Sequence, residues 1–176
     1  MGVDHTYFAA RGDADAAAAG SRPGGPLGGP TVTGTRRIGW FRREPVTVEL
    51  GPAWPGFTTR GWEPTVLMGT LEELLTVRPY DDVAADPRFA CAPGTGPDDA
   101  DDVVVTLTDT LRDALAAASD ERLHEVAASW RRTEELQQPR WEATAVEEHV
   151  GILRRLRDLA RRAAADGHRL YCHVEL

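Results

Sequence analysis

The chain has 176 residues, 41% of them hydrophobic and 27% charged, with a formal net charge of -8. That length fits one domain able to bury a core without disulfide or metal staples. The acidic balance excludes the cationic footprint that nucleic acids and anionic membranes require, and no run approaches the roughly 18 apolar residues of a membrane span. All 20 basic residues are arginine and neither lysine nor asparagine occurs, a bias attributed to a GC-rich genome and not to phosphate recognition. Cys91 and Cys172 are too few for a disulfide framework and too far apart for a paired-thiol site. Free thiols and the absence of a leader pattern predict a soluble cytoplasmic protein.

Residues 3–10 read as a strand, with Val3, His5, Tyr7 and Ala9 on one side and Asp4, Thr6, Phe8 and Ala10 on the other. So apolar a terminal strand is expected in a sheet beside the strand that closes the chain. Residues 13–19 predict a two-turn helix capped by Asp13 and stopped at Gly20. The segment 20–64 then holds 7 of the 12 prolines and 10 of the 17 glycines, together with Trp40, Trp54 and Trp62, which excludes regular helix. Strands over 37–43, 46–50 and 57–62 make it an insertion or meander beside the main sheet.

Helical spacing returns over 64–77, with Thr70 to Glu73 matching a capping box and Gly69 as a dividing point. Another turn follows at 80–85, and 89–92 reads as a short strand. Val103 to Leu107 is an apolar β-branched run of the kind found in central strands. Thr108 or Asp109 caps a helix ending near Ala118, and Ser119 caps a second that runs to about Gln137. The final helix, 144–165, has Val146, Val150, Leu153, Leu156, Ala160 and Ala163 in one stripe. Thr144 and Glu147 fit a capping box, Pro139 allows an earlier start, and Asp158 with Arg162 fits an ion pair. Gly167 ends the helix, and in the strand 168–176 the set Leu170, Cys172, Val174 forms the buried face. The expected architecture is α+β: a single domain over 1–176 with a mixed sheet that includes both terminal strands, covered by two or three long helices.

Most chemistry is made less probable by spacing. Without lysine a phosphate loop of the Walker type and Schiff-base chemistry are excluded, and Ser21, Ser119 and Ser129 stand in no nucleophile motif. His124-Glu125 is followed by Ala128 where a zinc helix needs histidine, and His149 stands alone. His5, Cys172, His173 and Glu175 could meet if the terminal strands pair, but His173 points opposite to Cys172, so no metal or cofactor is expected. The aspartates at 98, 99, 101 and 102 lack the spacing of a calcium loop, and Cys172 reads as a buried, inert thiol. No catalytic residue is assigned. Trp40, Trp54, Arg60 and Trp62 remain, and two readings of them stay open. Either the indoles cover a thin sheet, with Trp62 holding the start of the following helix, or they form a binding surface.

Four segments carry a resemblance: Met1 to Asp4 with Tyr7 to Ala9, Gly69 to Leu75, Ala118 to Leu123, and Asp166 to Tyr171. In these the chain resembles the YfbM-like family of small bacterial proteins of unknown function, and as a whole it resembles actinobacterial proteins of this length. Residues 20–64 depart from that family's pattern. The resemblance implies an α+β fold and carries no activity and no catalytic residue. The expected function is that of a non-enzymatic cytoplasmic binding protein, immunity- or antitoxin-like, meeting a basic protein partner through acidic surface and the tryptophan region. The alternative is a small-molecule-binding protein or enzyme whose pocket lies between the sheet and the 20–64 segment, with His5, Glu63 or His173 at its floor.

Overall fold

The computed structural model describes residues 3–38, 42–93, 102–137 and 145–175. The first half of the chain forms β1 (Asp4–Ala10), α1 (Asp13–Gly20), β2 (Thr31–Ile38), β3 (Arg42–Glu49), β4 (Gly56–Arg60), α2 (Val66–Thr76) and α3 (Tyr80–Ala84). The second half forms β5 (Asp102–Thr106), α4 (Asp109–Ala117), α5 (Asp120–Trp130), a 3-10 turn (Glu134–Leu136), α6 (Val146–Ala165) and β6 (Arg169–Glu175). The architecture is α+β. Four strands make a sheet in the order β4-β1-β6-β5, while β2 and β3 form a separate two-stranded hairpin. A mixed sheet was expected, but each of the three pairings is antiparallel, because every connection returns the chain in the reverse direction.

The first and last strands pair over seven residues at the centre of the sheet, from Asp4 opposite Glu175 to Ala10 opposite Arg169. Both are covered on two sides. Tyr7, Ala9, Leu170 and Cys172 face a large core built with α2, α4, α5 and α6, while Phe8, Ala10 and Tyr171 pack with Ala16 and Ala19 of α1. The expectation of a single buried face on β6 is therefore corrected, since Tyr171 and His173 are buried as well. β5 lies at the edge and not at the centre, and its apolar run reflects contact with α1 and with the larger core.

α6 roofs the helix side with Val150, Leu153, Leu156, Leu159, Ala160 and Ala163, all buried. Each buried leucine stabilises by about 1.5–3 kcal/mol, which outweighs the absence of a side-chain cap at Ala145. Thr144, the expected cap, lies outside the described residues, as do Pro139 and Trp141. At the other end Gly167 takes φ 67°, and bonds from Gly167 N to Ala164 O and from His168 N to Ala163 O close the last turn. The expected Asp158–Arg162 ion pair is absent from these contacts: Arg162 Nε reaches the Asp158 carbonyl, and the Asp158 carboxylate turns to Arg157. His149, predicted to stand alone, is fully buried against Trp62.

α2 is continuous through Gly69. Glycine is needed there because a Cβ would come within 2.7 Å of the Tyr80 ring. The cap of α2 is Glu63 and not Thr70: its carboxylate accepts the Thr65 and Leu67 backbone N–H groups and the Thr65 hydroxyl. Thr70 sits inside the helix and donates to the Val66 carbonyl. α5 stops at Trp130, seven residues before Gln137, where Thr133 donates to the Trp130 carbonyl and the chain tightens into the 3-10 turn. Residues 89–92 form no strand, although Thr106 N donates to the Cys91 carbonyl beside β5. No helix among the described residues is long and apolar enough to cross a membrane.

α2 ends on Val77, which takes φ 59° while 84% exposed, with its N–H on the Glu73 carbonyl. A β-branched residue is strained in that left-handed conformation, and exposure leaves it little packing in return. Val77→Gly is expected to raise stability by about 1 kcal/mol in urea denaturation; a loss of stability would show that Val77 makes contacts that outweigh the strain.

Candidate functional site

The residues singled out by sequence fall into different surroundings. Trp62 is in the core, its ring 5.0 Å from Trp130 and 5.1 Å from His149, so it anchors the chain where β4 gives way to α2. Trp54 is half-buried on the opposite side of the sheet, packed against the Phe8–Tyr171 cluster. Arg60 is exposed at the end of β4 and donates to Asp4 at 2.8 Å, a hydrogen bond that lowers the Asp4 carboxyl pKa. Trp40 lies outside the described residues, between Ile38 and Arg42. Trp54, Arg60 and Trp62 do not share one surface, because the sheet separates the two indoles.

The ionisable groups inside the body hold elements together. Tyr7 donates to the Trp62 carbonyl at 2.7 Å, and burial pushes its phenol well above the usual range. Burial likewise raises the Cys172 thiol well above its usual range, and it lowers the His5 imidazole against the opposing pull of Glu63 and Asp4. On the other side of the sheet Tyr171 donates to Asp13 at 2.8 Å, and Arg88 donates to the same oxygen. Burial and Asp13 raise the Tyr171 phenol to about 12. For Asp13, burial alone would raise the carboxyl, but the bonds from Tyr171 and Arg88 outweigh it and the pKa is lowered. Asp13 is thus a tie between α1 and β6, and Gly12 occupies the cap position.

His173 is buried on the same side. The backbone of Gly25 lies on its ring, where a Cβ would stand 3.2 Å from Nδ1, and Gly20 packs beside it against Val104, where a Cβ would come within 2.4 Å of Cγ2. His173 neighbours Thr6, whereas Cys172 neighbours Tyr7, so the two lie on opposite faces as the alternation predicted. Among the described residues no three His, Cys, Asp or Glu side chains gather closely enough to hold a metal ion.

What sequence reading missed is Arg22. It is buried, and its guanidinium donates to the carbonyls of Gly29, Gly51 and Pro52 at 2.7–2.8 Å while its face lies 5.4 Å from the Trp54 ring. Prolines lack an N–H, so a Gly/Pro-rich segment carries surplus carbonyls, and arginine offers five donors in a rigid fork. That surplus was the available signal. Gly29 and Gly51 are the two feet of the hairpin, and Leu50 N donates to the Pro30 carbonyl beside them. Arg22 therefore clamps both feet of β2–β3 to the body.

Beyond that clamp the hairpin stands apart. None of its described side chains is buried, and among the described elements β2 and β3 pack extensively only on each other. One face carries Val32, Gly34, Arg36, Glu44, Val46 and Val48; the other carries Thr31, Thr33, Thr35, Arg37, Arg43, Pro45, Thr47 and Glu49. Residues 31–49 hold four arginines and two glutamates, so this element is +2 in a chain of net charge -8. Comparison of the chain with protein-family models, with curated proteins and with solved structures finds no match.

Replacing Arg22 by alanine removes three charge-assisted bonds at once and is expected to cost about 3 kcal/mol in urea denaturation. Arg22→Lys is expected to recover less than half, because one ammonium cannot reproduce the fork. Full recovery by lysine would mean that charge alone, and not the shared anchoring of both feet, matters at this position.

Proposed function

We propose that the protein is a non-enzymatic binding protein that meets a protein partner through the β2–β3 hairpin. The observation that carries this reading is the hairpin's isolation. A two-stranded ribbon without a third strand or a packed face is marginal in water, yet here it is held at its feet and exposed on both faces. Strands kept without a core of their own are suited to pairing with another chain. Tyr7, Tyr171 and Asp13 of the body, by contrast, are engaged in internal ties, and the Cys172 thiol is buried, which supports the reading as a binder over a catalytic one. The immunity- or antitoxin-like reading and the YfbM-like resemblance fit a protein of this kind. The two free cysteines are consistent with the reading of a protein of a reducing cytoplasm.

The small-molecule alternative needs room above His173, between the sheet and the 20–64 segment. The Gly25 backbone occupies that position, which favours the protein partner. A short Gly-Ser link in place of residues 31–49 removes the arm while leaving the Arg22 bonds to Gly29, Gly51 and Pro52 in place. Affinity capture from the native host is expected to recover a protein with the full chain and not with this variant, at unchanged thermal stability of the body. Equal recovery by both would contradict the hairpin as the binding element.

A further inference from the structure

We infer that the outer edge of β2 takes an acidic, extended segment of a partner protein as a third strand. This rests on the reading of the hairpin as the binding arm and names what the arm binds. The register pairs residues whose numbers sum to 80, and the bond from Leu50 N to the Pro30 carbonyl assigns the even-numbered pairs as the hydrogen-bonded ones. Odd-numbered residues therefore aim their backbone groups outward. On β3 the outward row includes Pro45, which has no N–H, so that edge lacks a donor at its middle. On β2 the row is intact, and the outward groups of Thr33 and Thr35 pair with no other strand among the described residues.

The edges of the main sheet are guarded by comparison. Arg155 lies over the Phe57 ring at 4.2 Å and donates to the Thr58 carbonyl on β4, while the Cys91 carbonyl accepts from Thr106 N on β5. The charge of the partner follows from the hairpin as a whole, which keeps an excess of two arginines over glutamates even though Arg36 stands opposite Glu44. Gly34 supplies the last element: its φ is not positive and a Cβ there would meet nothing within 4 Å, so neither backbone nor packing in this chain demands glycine. Glycine at that point leaves a notch between Val32 and Val46 where a partner's side chain seats.

The test uses fluorescence anisotropy with the full chain and labelled peptides of about eight residues, long enough to span β2. The probes are an acidic peptide alternating glutamate with valine, its lysine counterpart, and the acidic peptide N-methylated on alternate amides. The acidic peptide is expected to bind, and both other peptides to bind at least about tenfold more weakly, since one reverses the charge and the other removes the backbone donors. Thr33→Pro, which deletes an outward donor and keeps the hairpin's own bonds, is expected to weaken binding to the same degree. Thr47→Pro on the outer edge of β3 is expected to leave it unchanged. Equal binding of the N-methylated or lysine peptide overturns the inference, as does tight binding by Thr33→Pro. If no peptide binds while the hairpin-deleted protein still loses its captured partner, the strand-addition inference fails and the hairpin reading stands. A dimer that Thr33→Pro dissociates would assign the edge to a second copy of the chain and overturn the acidic partner.

Discussion

The pairing of β1 with β6 is the constraint on which the rest of the structure depends. Joining the two ends of the chain at the centre of a four-stranded sheet leaves apolar side chains on both faces, and everything between the ends must cover them. α2 and the helices of the second half meet this demand on one side, with α6 contributing the longest buried stripe. The other side falls to α1 and to the segment that follows it, where no long helix is available. Tyr171 shows the coupling in one residue: its ring stacks on Phe8 across the strand pair, and its hydroxyl fixes Asp13 at the start of α1.

That division explains the composition of residues 20–64. A segment that must cross a sheet closely, turn outward and return cannot be helical; Gly20 lets the backbone approach Val104 where a Cβ would collide, and Gly25 takes φ 66° beside His173. Its surplus of carbonyls is answered by Arg22, whose three bonds close the base of the hairpin. The body thus ends at the Arg22 clamp. What extends beyond it is a strand pair that contributes little to the core and presents its own edge, apolar face and positive charge.

Much of the body was legible in the sequence because local pattern and tertiary role coincide there. The alternation of Tyr7 and Phe8, the stripe from Val150 to Ala163, the caps Thr108 and Ser119, and the stop at Gly167 each follow from spacing or backbone chemistry alone. Patterns failed where one local signal serves two environments. Thr70 to Glu73 spells a capping box, yet the chain is already helical there because Glu63 caps from outside, across Pro64. Val103 to Leu107 has the composition of a central strand but takes an edge, since strand order depends on how the chain returns and not on any one strand. Trp62 and Trp54 looked alike in sequence and lie on opposite sides of the sheet, a separation that no spacing within 54–62 announces. Arg22 was silent because its partners, Gly29, Gly51 and Pro52, are backbone groups that any residue type could supply.

The hairpin is energetically separate from a body closed by its terminal strands. Native-state hydrogen exchange tests this most directly, because it reads the opening free energy of each amide in the intact protein. Amides of Phe8 and Tyr171 are predicted to exchange only through global unfolding, and those of Gly34 and Val46 through a local opening at least about 3 kcal/mol lower. Equal protection of the hairpin and the central strands would contradict it, showing that β2 and β3 belong to the same cooperative unit as the sheet.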